Sequence, residues 1–289
     1  MDKKIDSFHV IDLPAERRDM PSFNELNARK YFMYALLEVD VTHARQFIEA
    51  HKAQTGESLS FTGYLAFCMA QAVDEHKAVQ AYLKGRRQLV IFDNVDVGIM
   101  VEQKTGEKQT LMGYVIKAAN HKTFREIHKE IRAIQSKPVT SRTGREAWLR
   151  SLMALPWPLS WLFNNLLFTL VRRDPTIFTS MAGTVGISAV GMFGKGQGGW
   201  GLVPVIHGLG LIVGGIAWKP AVVAGKIEPR QILNLTVAFD HDVIDGAPAT
   251  RFTRRLVELI ESGYGLNENQ TQTVRDGEPA ALQAEITPA

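Results

Sequence analysis

The stretch from Ile232 to Ser262 constrains the fold more than any other, because its apolar period switches from that of a strand to that of a helix across one short turn. Leu233, Leu235, Val237 and Phe239 alternate with Asn234, Thr236 and Ala238, as in a β-strand. From about Ala247 to Ser262, residues Ala249, Phe252, Leu256, Leu259 and Ile260 gather on one side of a helix. Pro248 falls in that helix's first turn, where its missing N–H leaves no bond unmade. A strand that turns straight into a helix must bury both apolar surfaces in a shared core, so the chain needs a sheet with helices layered on it.

The remaining periodicities supply that core. Tyr31 to Val41 reads as a strand, Thr42 to about Gln54 as a helix, and Ser60 to about His76 as a second helix. The last places Phe61, Leu65, Cys68, Met69, Ala72 and Val73 on one face. Val95, Val97, Ile99 and Val101 alternate within a strand from Asp93 to Glu102, Gly106 turns the chain into a partner strand, Thr110–Lys117, and an amphipathic helix follows over Thr123–Gln135. Glycine is dense from Gly183 to Gly215, which predicts strands joined by tight turns and close strand packing. Residues 1–30 are polar and read as an irregular arm. The chain beyond about Leu266 is polar and aperiodic, which predicts a disordered tail over residues 266–289. The expectation is an α/β sandwich in one domain, residues 1–265.

Hydrophobic content of 45% and charged content of 22% suit a folded domain. A formal charge of +3 without any Lys/Arg run argues against a nucleic-acid partner, yet leaves room for an anionic ligand such as a coenzyme phosphate. Cys68 is the one cysteine, so no intrachain disulfide forms, and its apolar neighbours mark a core thiol rather than a nucleophile. The N-terminal residues lack the apolar stretch of a secretory signal, and a cytoplasmic location is expected.

The turn His241-Asp242-Val243-Ile244-Asp245-Gly246 carries the candidate chemistry. The strand delivers Asp240 and His241 to the sheet edge, and Gly246 permits a close backbone turn. Asp245 then sits near a helix N-terminus, where the positive partial charge favours a carboxylate that can fix the loop. An imidazole is the natural group to take a proton from a thiol, hydroxyl or amine. The same residues also suit a satisfied histidine at a strand end beside a capping aspartate, and spacing alone does not decide between the two. With no neighbouring Cys, His or Glu, no metal site is expected. Gly194-Lys195 resembles the end of a phosphate-binding loop, but Ala189 stands where the first glycine is required and Gly196 where a Ser or Thr is required.

The segment NLTVAFDHDVIDGAPATRFTRRLVELIE closely resembles the C-terminal signature of the catalytic domain of 2-oxoacid dehydrogenase dihydrolipoamide acyltransferases, usually written DHRVIDGA, and chloramphenicol acetyltransferase shares its HxxxDG core. GTVGISAVGMFG is similar to that family's GGTFTISNLGMFG, and KPAVVAGKIEP to its KPVVVDGEI. NVDVGIMVEQKTGEKQTLMGYVIKAANHKTFREIHKEI follows its central strand pair and helix, and the resemblance spans roughly residues 25–265 in preserved order. It implies a two-layer sandwich with a mixed sheet and an acyl transfer between coenzyme A, as acyl-coenzyme A substrate, and a thiol or hydroxyl acceptor. It further implies that His241 is the general base, that Asp245 holds the loop and imidazole, and that Ser188 donates its hydroxyl to the oxyanion. Without the resemblance Ser188 is an ordinary strand serine. The resemblance implies a homotrimer with His241 and Ser188 contributed by different chains, and admits a larger cubic assembly.

Several features depart from the family pattern. Asp242 replaces the arginine beside the base, and an unpaired carboxylate there would favour the charged imidazole and weaken it as a base. Val205-Ile206-His207-Gly208-Leu209 replaces an Asn-Pro-Pro turn, with His207 expected to pack or turn rather than line a pocket. No lipoyl domain or Pro/Ala-rich linker precedes the catalytic region, so no covalent lipoyl is expected on this chain; a scaffold subunit whose chemistry has decayed is the competing expectation. Residues 136–182 form an apolar insertion, in which Leu159–Val171 reads as a helix. Two prolines and two asparagines argue against a membrane span. A buried helical hairpin, a lid over a greasy pocket and a membrane-surface contact through residues 145–173 stay open.

Overall fold

The computed structural model describes residues 12–14, 17, 20–105, 108–136, 151–152, 155–156, 158–189 and 197–267. The expected tail beyond residue 267, the turn glycine Gly106, the candidate phosphate-loop residues Gly194 and Lys195, and positions 145–150 of the apolar insertion lie outside the described residues. In chain order the elements are α1 (Met20–Asn27), β1 (Phe32–Asp40), α2 (Thr42–Thr55), α3 (Phe61–Glu75), β2 (Tyr82–Lys84), β3 (Gln88–Val90), β4 (Val97–Thr105) and β5 (Lys108–Ile116). There follow α4 (Phe124–Ser136), α5 (Leu159–Arg173), α6 (Thr176–Ala182), β6 (Val185–Ala189), β7 (Leu209–Val223), β8 (Lys226–Asp240) and α7 (Gly246–Glu261).

The chain divides into two compact units, a smaller one of residues 1–29 and 141–169 and a larger one of residues 30–140 and 170–289. In the smaller unit α1 forms where polar composition predicts irregular backbone. Asn164 of α5 donates to the Glu25 carboxylate of α1 (3.4 Å), and Arg29 donates to Asn165 (2.8 Å) while its guanidinium lies 4.7 Å from the Phe168 ring centroid. Tertiary partners thus decide a helix that its own residues favour only weakly.

The larger unit is built on a six-stranded mixed sheet, order β1-β8-β7-β6-β4-β5. The β6 strand runs parallel to both β4 and β7, and the remaining neighbours are antiparallel. The helices α2, α3, α4 and α7 pack through Ile48, Leu65, Met69, Phe124, Ile127, Phe252 and Leu256 into the core shared with Leu233, Leu235, Val237 and Phe239 of β8. This is the two-layer α/β arrangement that the sequence predicts. Cys68 is fully buried within it, and burial pushes its thiol up to about 12. The antiparallel pair β7–β8 is longer than the predicted strand, closing through Ala224 and Gly225, both at positive φ.

The alternation along β8 predicts one wet face, yet every residue from Ile232 to Asp240 is buried. Residues 197–208 cover the second face. Gly98, Gly186 and Gly210 lie in register across β4, β6 and β7, and the row continues with Ala238 on β8. A Cβ on Gly186 would lie 2.3 Å from His207 Nδ1, and one on Gly210 would lie 2.5 Å from Val205 Cγ1. These glycines form a slot that the covering segment fills, which is close strand packing as the glycine density predicts.

Candidate active site

The β8 strand ends at Asp240, and this residue organises the turn that follows. Its backbone N–H donates to Gly208 O (2.8 Å), and its carbonyl accepts from Val243 (3.0 Å) and Ile244 (3.1 Å). Its carboxylate accepts from the Asp242 backbone N–H (3.2 Å) and pairs with Lys30 Nζ at 3.3 Å. His241 N–H donates to the carbonyl of Tyr31 (2.7 Å), just before β1, and the Ile244 side chain anchors the turn in the core. The backbone beneath His241 is therefore bonded on both sides, while its ring stands half exposed at the sheet edge.

His241 Nδ1 lies 3.8 Å from Asp245 Oδ1, an electrostatic pairing distance longer than a hydrogen bond. Asp245 is the N-cap residue of α7 in extended conformation (φ −93°, ψ 171°), and its side chain makes no cap hydrogen bond. The sequence assigns loop fixing to Asp245; in the structure Asp240 does that work. Asp242 is exposed, and its negative charge acts on Lys30.

Ser188 lies half-buried on β6, in register with Ile212 of β7, which pairs with Thr236 of β8. His241 comes five residues beyond Thr236 and two strands across from Ser188. At about 3.3 Å per residue and about 4.8 Å per strand, the two are roughly 15–20 Å apart in one chain. The structure brings His241 and Asp245 together, and leaves Ser188 apart from both.

Sequence reasoning missed the half-buried cation under the turn, Lys30. The Lys30 ammonium also donates to Ile206 O (3.1 Å) and lies 5.2 Å from the Tyr82 ring centroid. Burial lowers its pKa, while Asp240 and then Asp242 pull it back up. The Tyr82 hydroxyl donates to Thr184 O (3.0 Å) and accepts from Gly208 N–H (3.2 Å), and burial raises its pKa. The His207 ring is buried with Nε2 at 2.9 Å from Ala182 O; burial pushes it down to about 4, Lys30 adds to the depression, and the Ala182 bond opposes it. His207 packs, as its sequence context suggests. A lysine two positions before a strand carries no sequence signal of burial. A polar recess of about 380 Å³, lined by residues such as Asp96, Lys117, Thr179 and Thr184, includes none of the three predicted site residues.

The sequence model of the 2-oxoacid dehydrogenases acyltransferase (catalytic domain) family matches residues 27–147 and 176–266, well over half of the chain. The chain belongs to this family. The unmatched gap falls on the apolar insertion. The lipoamide acyltransferase component of the branched-chain alpha-keto acid dehydrogenase complex of Bacillus subtilis is 26% identical over 234 residues, covering 79% of this chain and 46% of that protein. The chain spans about half the length of the curated relatives it matches. Among solved structures, the dihydrolipoamide acetyltransferase of Azotobacter vinelandii superposes with a TM-score of 0.63 at 20% identity, covering 89% of this chain and 94% of that one. The cubic core of a pyruvate dehydrogenase multienzyme complex gives 0.63 at 19% identity, over 92% and 98%. At these identities the superpositions establish that the family member has the family fold.

Proposed function

We propose that this chain transfers an acyl group between coenzyme A and a thiol or hydroxyl acceptor. The observation that carries the proposal is His241, half exposed on a rigidly bonded turn at the edge of the family's sheet, with the Asp245 carboxylate facing its Nδ1. With Nδ1–H turned to Asp245, Nε2 is left with a lone pair for the acceptor proton. The deprotonated acceptor attacks the thioester carbonyl, Ser188 Oγ–H stabilises the resulting oxyanion, and collapse expels the coenzyme A thiolate, which recovers the proton from His241.

The Azotobacter vinelandii structure comes from work on the role of a serine, a histidine and an asparagine in the catalytic mechanism of that enzyme. There the serine precedes the histidine by 52 positions and the asparagine follows it by four. Ser188 precedes His241 by 53 positions, and Asp245 follows it by four. The separation of Ser188 from His241 within one chain supports a site shared between copies, as in the homotrimer that the family resemblance implies. Tyr34, Leu36, Trp218, Val222 and Ile227 are exposed apolar side chains of the size that oligomer contacts cover, and the cubic core among the solved relatives fits a larger assembly.

Loss of thioester from a panel of acyl-coenzyme A species, with dihydrolipoamide as acceptor, tests the reading. Turnover that disappears in His241→Ala supports it. Normal oligomers without His241-dependent turnover on any acyl donor overturn it and leave a scaffold subunit.

A further inference from the structure

The insertion that the family model leaves unmatched carries a surface of its own. The α5 helix exposes Leu159 (57%), Leu162 (61%), Leu166 (57%) and Leu170 (42%). At about 100° per residue these four fall within an arc of about 80°, so they form a single apolar stripe facing solvent. The opposite side holds the buried Asn164, whose amide donates to Glu25 (3.4 Å). The helix thus presents its leucines outward and buries Asn164, with Phe163, Leu167 and Phe168 half-buried and Trp161 exposed away from the leucine arc. A buried hairpin does not describe it.

Charge and aromatic content identify what the stripe fits. From Ala147 to Arg173 the sequence has no Asp or Glu, and it holds Trp148, Trp157 and Trp161, three of the protein's five tryptophans. The last turn of α5 carries Arg172 and Arg173. Within the larger unit that turn is fastened to the β2–β3 hairpin: Gly85 N–H donates to Arg172 O (2.7 Å), and Arg172 Nε donates to Gly85 O (3.0 Å). The hairpin turn exposes Lys84, Arg86 and Arg87, so five cationic residues cluster where the leucine stripe ends. Asp174, next in the chain, accepts from Thr176 Oγ1 (2.6 Å) and lies in the field of Lys84, so it offsets one of the five charges and the cluster stays net positive. Among the described residues no helix is long and apolar enough to cross a membrane. Fifteen residues at about 1.5 Å each make α5 too short for a hydrocarbon core of about 30 Å.

We infer that α5 is a membrane-surface helix, lying in the interface of an anionic bilayer with its leucines in the acyl boundary and the arginine cluster on the headgroups. This stands independently of acyl transfer. Vesicle co-sedimentation with the full chain tests it, comparing phosphatidylcholine vesicles with vesicles containing about a third phosphatidylglycerol, at low and high salt. The expected result is binding to the anionic vesicles alone, weakened by salt and abolished by Leu162→Glu with Leu166→Glu. Each of Arg86→Gln, Arg87→Gln and Arg173→Gln should weaken it about five-fold. These arginine variants change exposed side chains and keep the test valid where the leucine pair impairs folding. Absence of wild-type binding to anionic vesicles overturns the inference, as does binding indifferent to both sets of variants. Overturning it equally, a leucine variant that lowers the oligomeric state of a protein that binds no vesicles would assign the stripe to contact between copies.

Discussion

His207 should make the protein lose stability in mild acid, by an amount set by its burial. Its ring fills the slot over Gly98 and Gly186, and burial there, aided by the field of Lys30 and opposed by the Ala182 O bond, pushes its pKa down to about 4 against 6.5 in an open chain. The folded state therefore excludes a proton that the unfolded state accepts. Stability is complete above pH 6.5, falls as pH drops through 6.5, and levels off below about 4. The full difference of about 2.5 pKa units corresponds to about 3 kcal/mol, of which about 2 kcal/mol is lost between pH 7 and pH 5. Urea denaturation of wild type and His207→Gln at pH 7, 6 and 5 measures it. Other titrating groups are common to both proteins, so the difference between the two curves isolates the imidazole. The glutamine variant should cost stability at pH 7 through imperfect filling of the slot, with the gap narrowing by about 2 kcal/mol towards pH 5. Parallel curves would refute a neutral, buried His207.

Gly186→Ala places a Cβ 2.3 Å from His207 Nδ1 and should destabilise by about 1–3 kcal/mol or more, read as a lower urea midpoint at unchanged slope. Lys30→Met leaves Asp240 buried without its cation and should cost about 3–5 kcal/mol, whereas Lys30→Met with Asp240→Asn should recover part of that loss in the same assay. Ser188→Ala should lower kcat by about 10²–10³-fold while KM for acyl-coenzyme A changes little. Mixing denatured His241→Ala and Ser188→Ala chains and refolding them together should restore about a quarter of wild-type activity, since random trimers then contain sites with both groups intact. Inactive mixed trimers would place both groups in one chain.

The strands and helices of the larger unit were legible because each carries a clean period. The helices α2, α3, α4 and α7 begin and end within a residue or two of expectation. The strand expected from Asp93 starts at Val97, because the Asn120 side chain takes the Val95 N–H and the Asp96 carboxylate takes the Ala118 N–H, diverting backbone that alternation alone would pair. The outward leucines of α5 were illegible for a different reason. Composition marks a segment as apolar without saying which side faces solvent, and the contacts of Asn164, Asn165 and Phe168 fix the rotation. The covered second face of β8 was hidden likewise, since Asn234 and Thr236 look solvated in sequence. In the structure Asn234 Oδ1 accepts from Gly199 N–H (3.0 Å), and Trp200 donates to Leu37 O (2.9 Å) as the covering segment passes.

His241 and Asp245 were visible through their motif, but the group that holds the motif in place was not. The general base proposed at His241 must keep its direction to within a fraction of an ångström, and an exposed ring 3.8 Å from an exposed carboxylate does not by itself supply that constraint. The constraint comes from below. Asp240 is fixed by Lys30, Lys30 by the Ile206 carbonyl, and the His241 amide by Tyr31, so the chain just before β1 and the segment covering β8 both clamp the turn. Asp242 belongs to the same account. Its charge acts on Lys30, so the carboxylate beside His241 adds to the field holding that half-buried ammonium.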